Sequence, residues 1–415
     1  MKALSLRNGR AAVALAVTGY FAALAPGAFA QVPQEAAAPQ DAAAPLVQAQ
    51  QVMVKGRKIA IGPHCEYSNL ATVPLKSVDN QLLLKTLVDG NPATMVADTG
   101  TIHTMFTVEE ANHLGLQLKH SAITTKDAQG NDQATYIANV KDISLDKFFW
   151  HHLDLGVAQN VAESYRELAG ADILLNGYNK DIEFSVATGQ VKFFVPSSEC
   201  RSSFLAYWDD NAGSVPLGDL SSHDPREVVT VTVNGKELVA LIDSGAPMSM
   251  IDLEAAARVG ITPQSPGVTE VSTDFAARKH KGKAWVAPFA SFSIGGETIN
   301  NPKIGIADLW GPKPKDPEFQ AAMRLASLGA EIKAPPGVVV ANFSTIVSRV
   351  GMNKMVGTVA TERPDMLLGA DFLRSHHVLM AMSQHRLYYT YLGGKVFGYV
   401  DAAKPDDGAQ AASGQ

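Results

Sequence analysis

Met95-Val96-Ala97-Asp98-Thr99-Gly100 and Ala240-Leu241-Ile242-Asp243-Ser244-Gly245 are two versions of one pattern, an apolar run that ends in Asp, a hydroxyl residue and Gly. A single Asp-[Ser/Thr]-Gly tripeptide is an ordinary turn signal. The weight therefore falls on whether the surroundings repeat as well.

They do. Val73-Pro74-Leu75 precedes a strand-like run over 82–88, a turn at Asp89-Gly90 and a second run into Asp98. In the second half Val215-Pro216-Leu217 precedes a run over 228–233, a turn at Asn234-Gly235 and a second run into Asp243. Beyond each Gly lies a short segment with helical character, 107–115 and 252–260, each stopped by Gly. The aspartates are 145 positions apart and the Val-Pro-Leu marks 142, a three-residue drift that one loop insertion explains. This is an internal duplication. Paired strands are predicted over 137–157 and 285–306. Each half then closes on an apolar run, Asp172-Ile-Leu-Leu-Asn-Gly177 and Asp365-Met-Leu-Leu-Gly369, and on a last strand pair ending near Phe194 and Tyr391. Aligned on Asp172 and Asp365, the first half places Asn176 where the second has Gly369.

With both copies laid out, each half resembles a retropepsin-type aspartic peptidase domain, and the whole resembles a single-chain bacterial member of that superfamily. The residues that carry the likeness are Asp98-Thr99-Gly100, Asp243-Ser244-Gly245 and the apolar-apolar-Gly element Leu367-Leu368-Gly369. The resemblance covers about residues 58–400. It implies an all-β chain of two tandem acid-protease lobes of closed β-barrel type, one short helix per lobe, and an active-site cleft between them. It implies Asp98 and Asp243 as the catalytic pair, with Thr99, Gly100, Ser244, Gly245 and Gly369 supporting the loops. Hairpin flaps around Gly130 and Gly282 are implied in the same way.

The chemistry fits those residue types. Two carboxylates held close cannot both ionise readily, so the pair retains one proton. The ionised member can act as general base on water while the protonated member polarises a scissile carbonyl. No cofactor is required, and the expected partner is a peptide or protein substrate. One chain supplies both loops, so a monomer suffices. The alternative is a peptidase-fold protein that binds peptides or envelope components without cutting.

The remaining sequence bounds the setting. A chain of 415 residues with 46% hydrophobic and 18% charged residues has enough apolar content for two cored lobes. A net charge of −6 and the lack of a long basic stretch argue against nucleic acid. Lys2, Arg7 and Arg10, an apolar core over 11–25 and Ala28-Phe29-Ala30 read as a signal peptide, residues 1–30. That predicts a periplasmic or secreted protein without stable membrane insertion. Residues 31–57 read as a disordered tether or pro-segment, 58–200 as the N-terminal lobe and 201–226 as an interlobe linker. The C-terminal lobe is expected over 227–401, with an insertion at about 307–364, and a disordered tail over 402–415. Cys65 and Cys200 flank the first lobe and could form a disulfide in an oxidising compartment. His151-His152 and His376-His377 fall on predicted strands, where adjacent side chains face opposite ways, so no metal site is expected.

Overall fold

A computed structural model describes residues 64–126, 132–146, 148–159, 167–175, 180–220, 224–271, 283–310 and 363–398. Short strands dominate, and they form sheets of 13 and 10 strands.

In the first lobe the strands Gln81–Val88 and Asn91–Ala97 pair antiparallel through the Asp89-Gly90 turn. Asp89 and Gly90 both have positive φ, 49° and 81°, which is the two-residue hairpin geometry that suits the right-handed twist of the strands. Asn234-Gly235, at 50° and 78°, repeats it between Glu227–Val233 and Lys236–Ile242. Pairing continues from Asn91–Ala97 through Glu167–Ala169, Met105–Thr107, Phe148–Ala158 and Asp132–Leu145, and returns to Gln81–Val88. Six strands thus close a ring around buried Leu82, Leu84, Met95, Phe106, Ile143 and Val157. The second lobe repeats the order, but its long hairpin is broken. Ala284–Pro288 and Ser291–Ile294 stand where the first lobe has one continuous strand.

The helices behind the Asp loops are capped as their sequences dictate. Thr107 Oγ1 accepts from Glu110 N at the start of Val108–His113, and the Asp252 carboxylate accepts from Glu254 N at the start of Leu253–Arg258. Gly115 and Gly260, at φ +69° and +88°, turn the chain out of them. Each lobe also holds a second short helix, Ala171–Leu174 and Ala370–Ser375, which corrects the expectation of one per lobe. At four and six residues these are too short for a hydrophobic period, and a Gly without a side-chain cap starts each.

The lobes share a sheet. Asp181–Ser185 pairs antiparallel with His376–Ala381, Glu183 opposite Leu379, so a local two-fold passes through that pair. Hairpin partners Gln190–Pro196 and Arg386–Tyr391 lie outside them, followed by the start of Tyr67–Val78 on one side and Gly213–Pro216 on the other. The duplicated Val-Pro-Leu marks fall at equivalent places: Pro74 opposite Gln190, and Pro216 opposite Arg386. The region read as a linker therefore carries a strand of the shared sheet. Cys65 and Cys200 are joined by a disulfide, with their Cα atoms 4.5 Å apart, which ties the entry of the first lobe to its exit.

Candidate active site

Each Asp sits at the end of a strand that is buried because it runs between neighbours. Val96 and Ala97 lie parallel to Leu168 and Ala169, and Asp98 N donates to Ala169 O at 2.9 Å. Leu241 and Ile242 lie parallel to Leu367 and Leu368, and Asp243 N donates to Leu368 O at 3.0 Å. The apolar runs before the two Asp residues are thus the strands that carry them into the interior.

The two loops meet face to face. A Cβ built on Gly100 would lie 2.2 Å from Asp243 Cγ, and one built on Gly245 would lie 2.3 Å from Asp98 Cγ. Each carboxyl therefore rests against the other loop's glycine, and no side chain could stand at either position. The hydroxyl residues between lock the loops across the lobe boundary. Thr99 Oγ1 donates to Ile242 O (2.7 Å) and accepts from Ser244 N (3.0 Å). Ser244 Oγ donates to Ala97 O (2.7 Å) and accepts from Thr99 N (3.0 Å). All of these groups are buried, so the four bonds are made out of water.

Asp98 and Asp243 are both about 1% exposed. Gly100 N and Thr101 Oγ1 donate to Asp98 at 3.0 and 2.8 Å, and Gly245 N and Ala246 N donate to Asp243 at 3.1 and 3.0 Å. Burial, and then the neighbouring Asp243 carboxyl, hold the Asp98 carboxyl well above the ordinary carboxylate range despite those donors. Two buried carboxyls set against each other and fed by N–H donors are suited to hold one proton between them.

The element behind the loops corrects the alignment made on sequence. Opposite Gly369 stands Gly170, not Asn176. Gly170 N donates to Thr104 Oγ1 (3.0 Å) and Gly369 N to Ser249 Oγ (2.9 Å). A Cβ on Gly170 would meet the His103 carbonyl carbon at 2.5 Å, and one on Gly369 would meet that of Met248 at 2.6 Å. Two residues on, Asp172 accepts from Thr104 N and Oγ1, and Asp371 accepts from Ser249 N and Oγ. The signal was present as Leu168-Ala-Gly-Ala-Asp172 against Leu367-Leu-Gly-Ala-Asp371. Anchoring on Asp365, which precedes its strand, hid it. Asn176 lies outside the described residues.

Gly130 and Gly282 also lie outside the described residues, as does most of the predicted insertion. Its two stems are pinned together: Trp310 Nε1 donates to Pro364 O at 2.8 Å. His376 is buried against Glu297 (3.0 Å), His377 stands beside Glu183 (3.0 Å), and His151 bonds Asp142. Among the described residues no group of three or more His, Cys, Asp or Glu is placed to hold a metal ion. No described helix is long and apolar enough to cross a membrane.

Two β lobes about a local two-fold, each contributing an Asp-hydroxyl-Gly loop to one buried junction, define the aspartic-protease fold. The chain belongs to the aspartyl protease family, whose model matches residues 84–177 and 229–372, more than half of its length. Among solved structures it is similar to an aspartic proteinase from Irpex lacteus at 10% identity and a TM-score of 0.39, over 77% of this chain and 97% of that one. It is also similar to a retropepsin-like aspartic protease from Rickettsia conorii, at 17% identity and a TM-score of 0.24, over 32% and 95%. No curated protein sequence matches it.

Proposed function

We propose that the protein is an extracytoplasmic aspartic endopeptidase in which Asp98 and Asp243 form the catalytic dyad. The observation that carries this reading is the reciprocal seating of each carboxyl on the other loop's glycine, held by the Thr99 and Ser244 cross-bonds. In the resting pair one carboxyl is ionised and one protonated. The ionised member takes a proton from a water between them as that water attacks the scissile carbonyl carbon, and the protonated member donates to the carbonyl oxygen. Collapse of the tetrahedral adduct breaks the C–N bond as the amine nitrogen takes a proton from one carboxyl and the other, ionised carboxyl takes one from a hydroxyl of the adduct, so the pair ends as the monoanion it began as. Gly100 N, Thr101 Oγ1, Gly245 N and Ala246 N fix the carboxyl orientations, so little reorganisation is needed as charge moves. The substrate class is peptide or protein, and both halves of the site lie on one chain.

Export is supported by the charged, apolar and small-residue order of the first thirty residues and by the Cys65–Cys200 disulfide. The test is incubation of the purified protein with a mixed peptide library from pH 3 to 8, beside Asp98→Asn and Asp243→Asn. Cleavage by the parent on the acid side of the range, lost in both variants, is the expected result. Cleavage retained by either variant sinks the dyad. A folded parent that binds peptides and cuts none would make it a binding protein on a peptidase fold.

A further inference from the structure

The three-residue drift between the copies has a definite location. Leu83 and Val228 are equivalent, since they pair with Val96 and Leu241, each two residues before its Asp. In the first copy the preceding hairpin turns in two residues, Asp79 and Asn80, between paired Val78 and Gln81. In the second, Asp219 pairs with Glu227, and the tip between them is longer. The extra length falls in the second copy's version of a hairpin whose tip, in each copy, reaches the other lobe's Asp loop.

What that tip delivers is Arg226. Its Nε and Nη2 bond the two oxygens of the buried Asp224 at 2.9 and 2.6 Å, a bidentate fork that fixes the guanidinium plane. The fork leaves Nη1 pointing across the lobe boundary, where it donates to Gly100 O at 3.3 Å. Gly100 O and Thr101 N belong to one peptide unit, and that N–H faces the Asp98 carboxyl as a further donor. A cation on the carbonyl end of a peptide strengthens the donor at its amide end. The first copy's tip makes a comparable crossing without a charge: Asn80 Nδ2 donates to Pro247 O at 3.1 Å, with Arg374 Nη1 behind it on Asn80 Oδ1 at 2.6 Å.

We propose that Arg226 is a positioning residue for the dyad, locked by Asp224 so that it holds and polarises the Gly100–Thr101 peptide and favours the ionised form of Asp98. This rests on the reading of Asp98 and Asp243 as a catalytic pair. The groups facing Asp98 are the Asp243 carboxyl, the Thr101 hydroxyl and the Gly100 and Thr101 amides. Those beside Arg226 are Asp224, and next to it Asp219 and Glu227. Burial and those two carboxylates push Glu227 up to about 8, so at neutral pH it adds little negative charge and the guanidinium is shared between Asp224 and Gly100 O. His103, further along the Asp98 loop, is turned to Asp172 at 3.7 Å.

The test reads protonation directly. The protein is labelled with 13C at the Asp carboxyls, and the dyad resonances are assigned with Asp98→Asn and Asp243→Asn and followed by NMR from pH 3 to 9. In Arg226→Gln the lower apparent pKa of the pair rises by about half a unit or more, because a cation favouring the anion has been removed. In Arg226→Lys, which keeps the charge, part of that rise is recovered. Arg226→Gln alone strands a buried Asp224, so Asp224→Asn/Arg226→Gln is made with it and is expected to move the same way. A merely structural role lowers the melting temperature and leaves the titration where it was. A folded glutamine variant or folded double variant with the parent's titration overturns the proposal. Since no turnover is needed, a parent that cuts no peptide refutes the peptidase reading and not this one.

Discussion

Replacing Ser244 by Ala puts a number on the joint between the lobes. Ser244 Oγ donates to Ala97 O at 2.7 Å and accepts from Thr99 N at 3.0 Å, and its side chain is fully buried. Alanine loses both bonds and leaves a carbonyl and an N–H in the interior without those partners. A hydrogen bond is worth about 1 kcal/mol net, and each stranded group costs about 1–3 kcal/mol. The variant should therefore lose about 2–5 kcal/mol, a large part of the usual 5–15 kcal/mol margin. Thr99→Val removes the mirror pair, to Ile242 O and from Ser244 N, while keeping the side-chain volume, and should cost about as much. Ser244→Thr is the control. It keeps the hydroxyl and installs the residue the first loop already uses, so it should stay within about 1 kcal/mol of the parent. Urea unfolding followed by tryptophan fluorescence gives the comparison, provided the slope is unchanged. A Ser244→Ala protein within about 0.5 kcal/mol of the parent at equal slope would mean that these bonds do not join the loops.

Three further outcomes follow from the same geometry. Burial and the two facing carboxyls raise the titration of the Asp98–Asp243 pair, so the stability carried by its retained proton is full below the ordinary carboxylate range and is lost as pH rises through the raised value; Asp98→Asn, which leaves Asp243 free to ionise without a like charge beside it, should raise the melting temperature at pH 7 and leave it nearly unchanged at pH 4, and equal shifts at both would refute this. Glu227 stands where the first copy has Leu82, and its raised value near 8 has the same sign; Glu227→Leu should stabilise by about 1–3 kcal/mol, more at pH 9 than at pH 6, in denaturation curves at the two pH values. Gly170→Ala drives a Cβ into the His103 backbone and should destabilise by about 2 kcal/mol or more with loss of any peptidase activity, while Asn176→Gly leaves activity unchanged; the reverse order in a cleavage assay would restore the alignment on Asn176.

Most of the architecture was legible because it is written in local patterns that the duplication prints twice. Asp89-Gly90 and Asn234-Gly235 specify their turns by backbone preference alone, and Thr107 with Gly115 and Asp252 with Gly260 mark helix ends in the same way. The Asp loops were legible as a pair for that reason too. The shared sheet was harder to see. Gly213–Pro216 is four residues long and pairs with Arg386–Tyr391, far along the chain, so no local period announces it. The position of Gly170 was missed for a different cause. Its strand, Glu167–Ala169, is three residues long, and the anchor chosen, Asp365, lies before the equivalent strand and not after it. Arg226 was invisible because its partner is a backbone oxygen on the other lobe, and a carbonyl leaves no mark in a sequence.

The unequal parts of the duplication bear most directly on mechanism. What the copies share, the glycines under the carboxyls, the crossed hydroxyls and the Gly-Ala-Asp corner, would by itself give two equivalent carboxyls, as a symmetric dimer would. General acid–base work needs them to differ, one ionised and one protonated, and substrate binding breaks that symmetry only after the complex forms. Here two differences are built into the free chain on the same side. Thr101 puts a hydroxyl on Asp98 where the second loop has Ala246, and the longer tip of the second lobe sets Arg226 on the Gly100 carbonyl. Both act through donors to Asp98, and both favour its anion. A single chain can keep such a bias because its two halves mutate separately, which identical subunits cannot do.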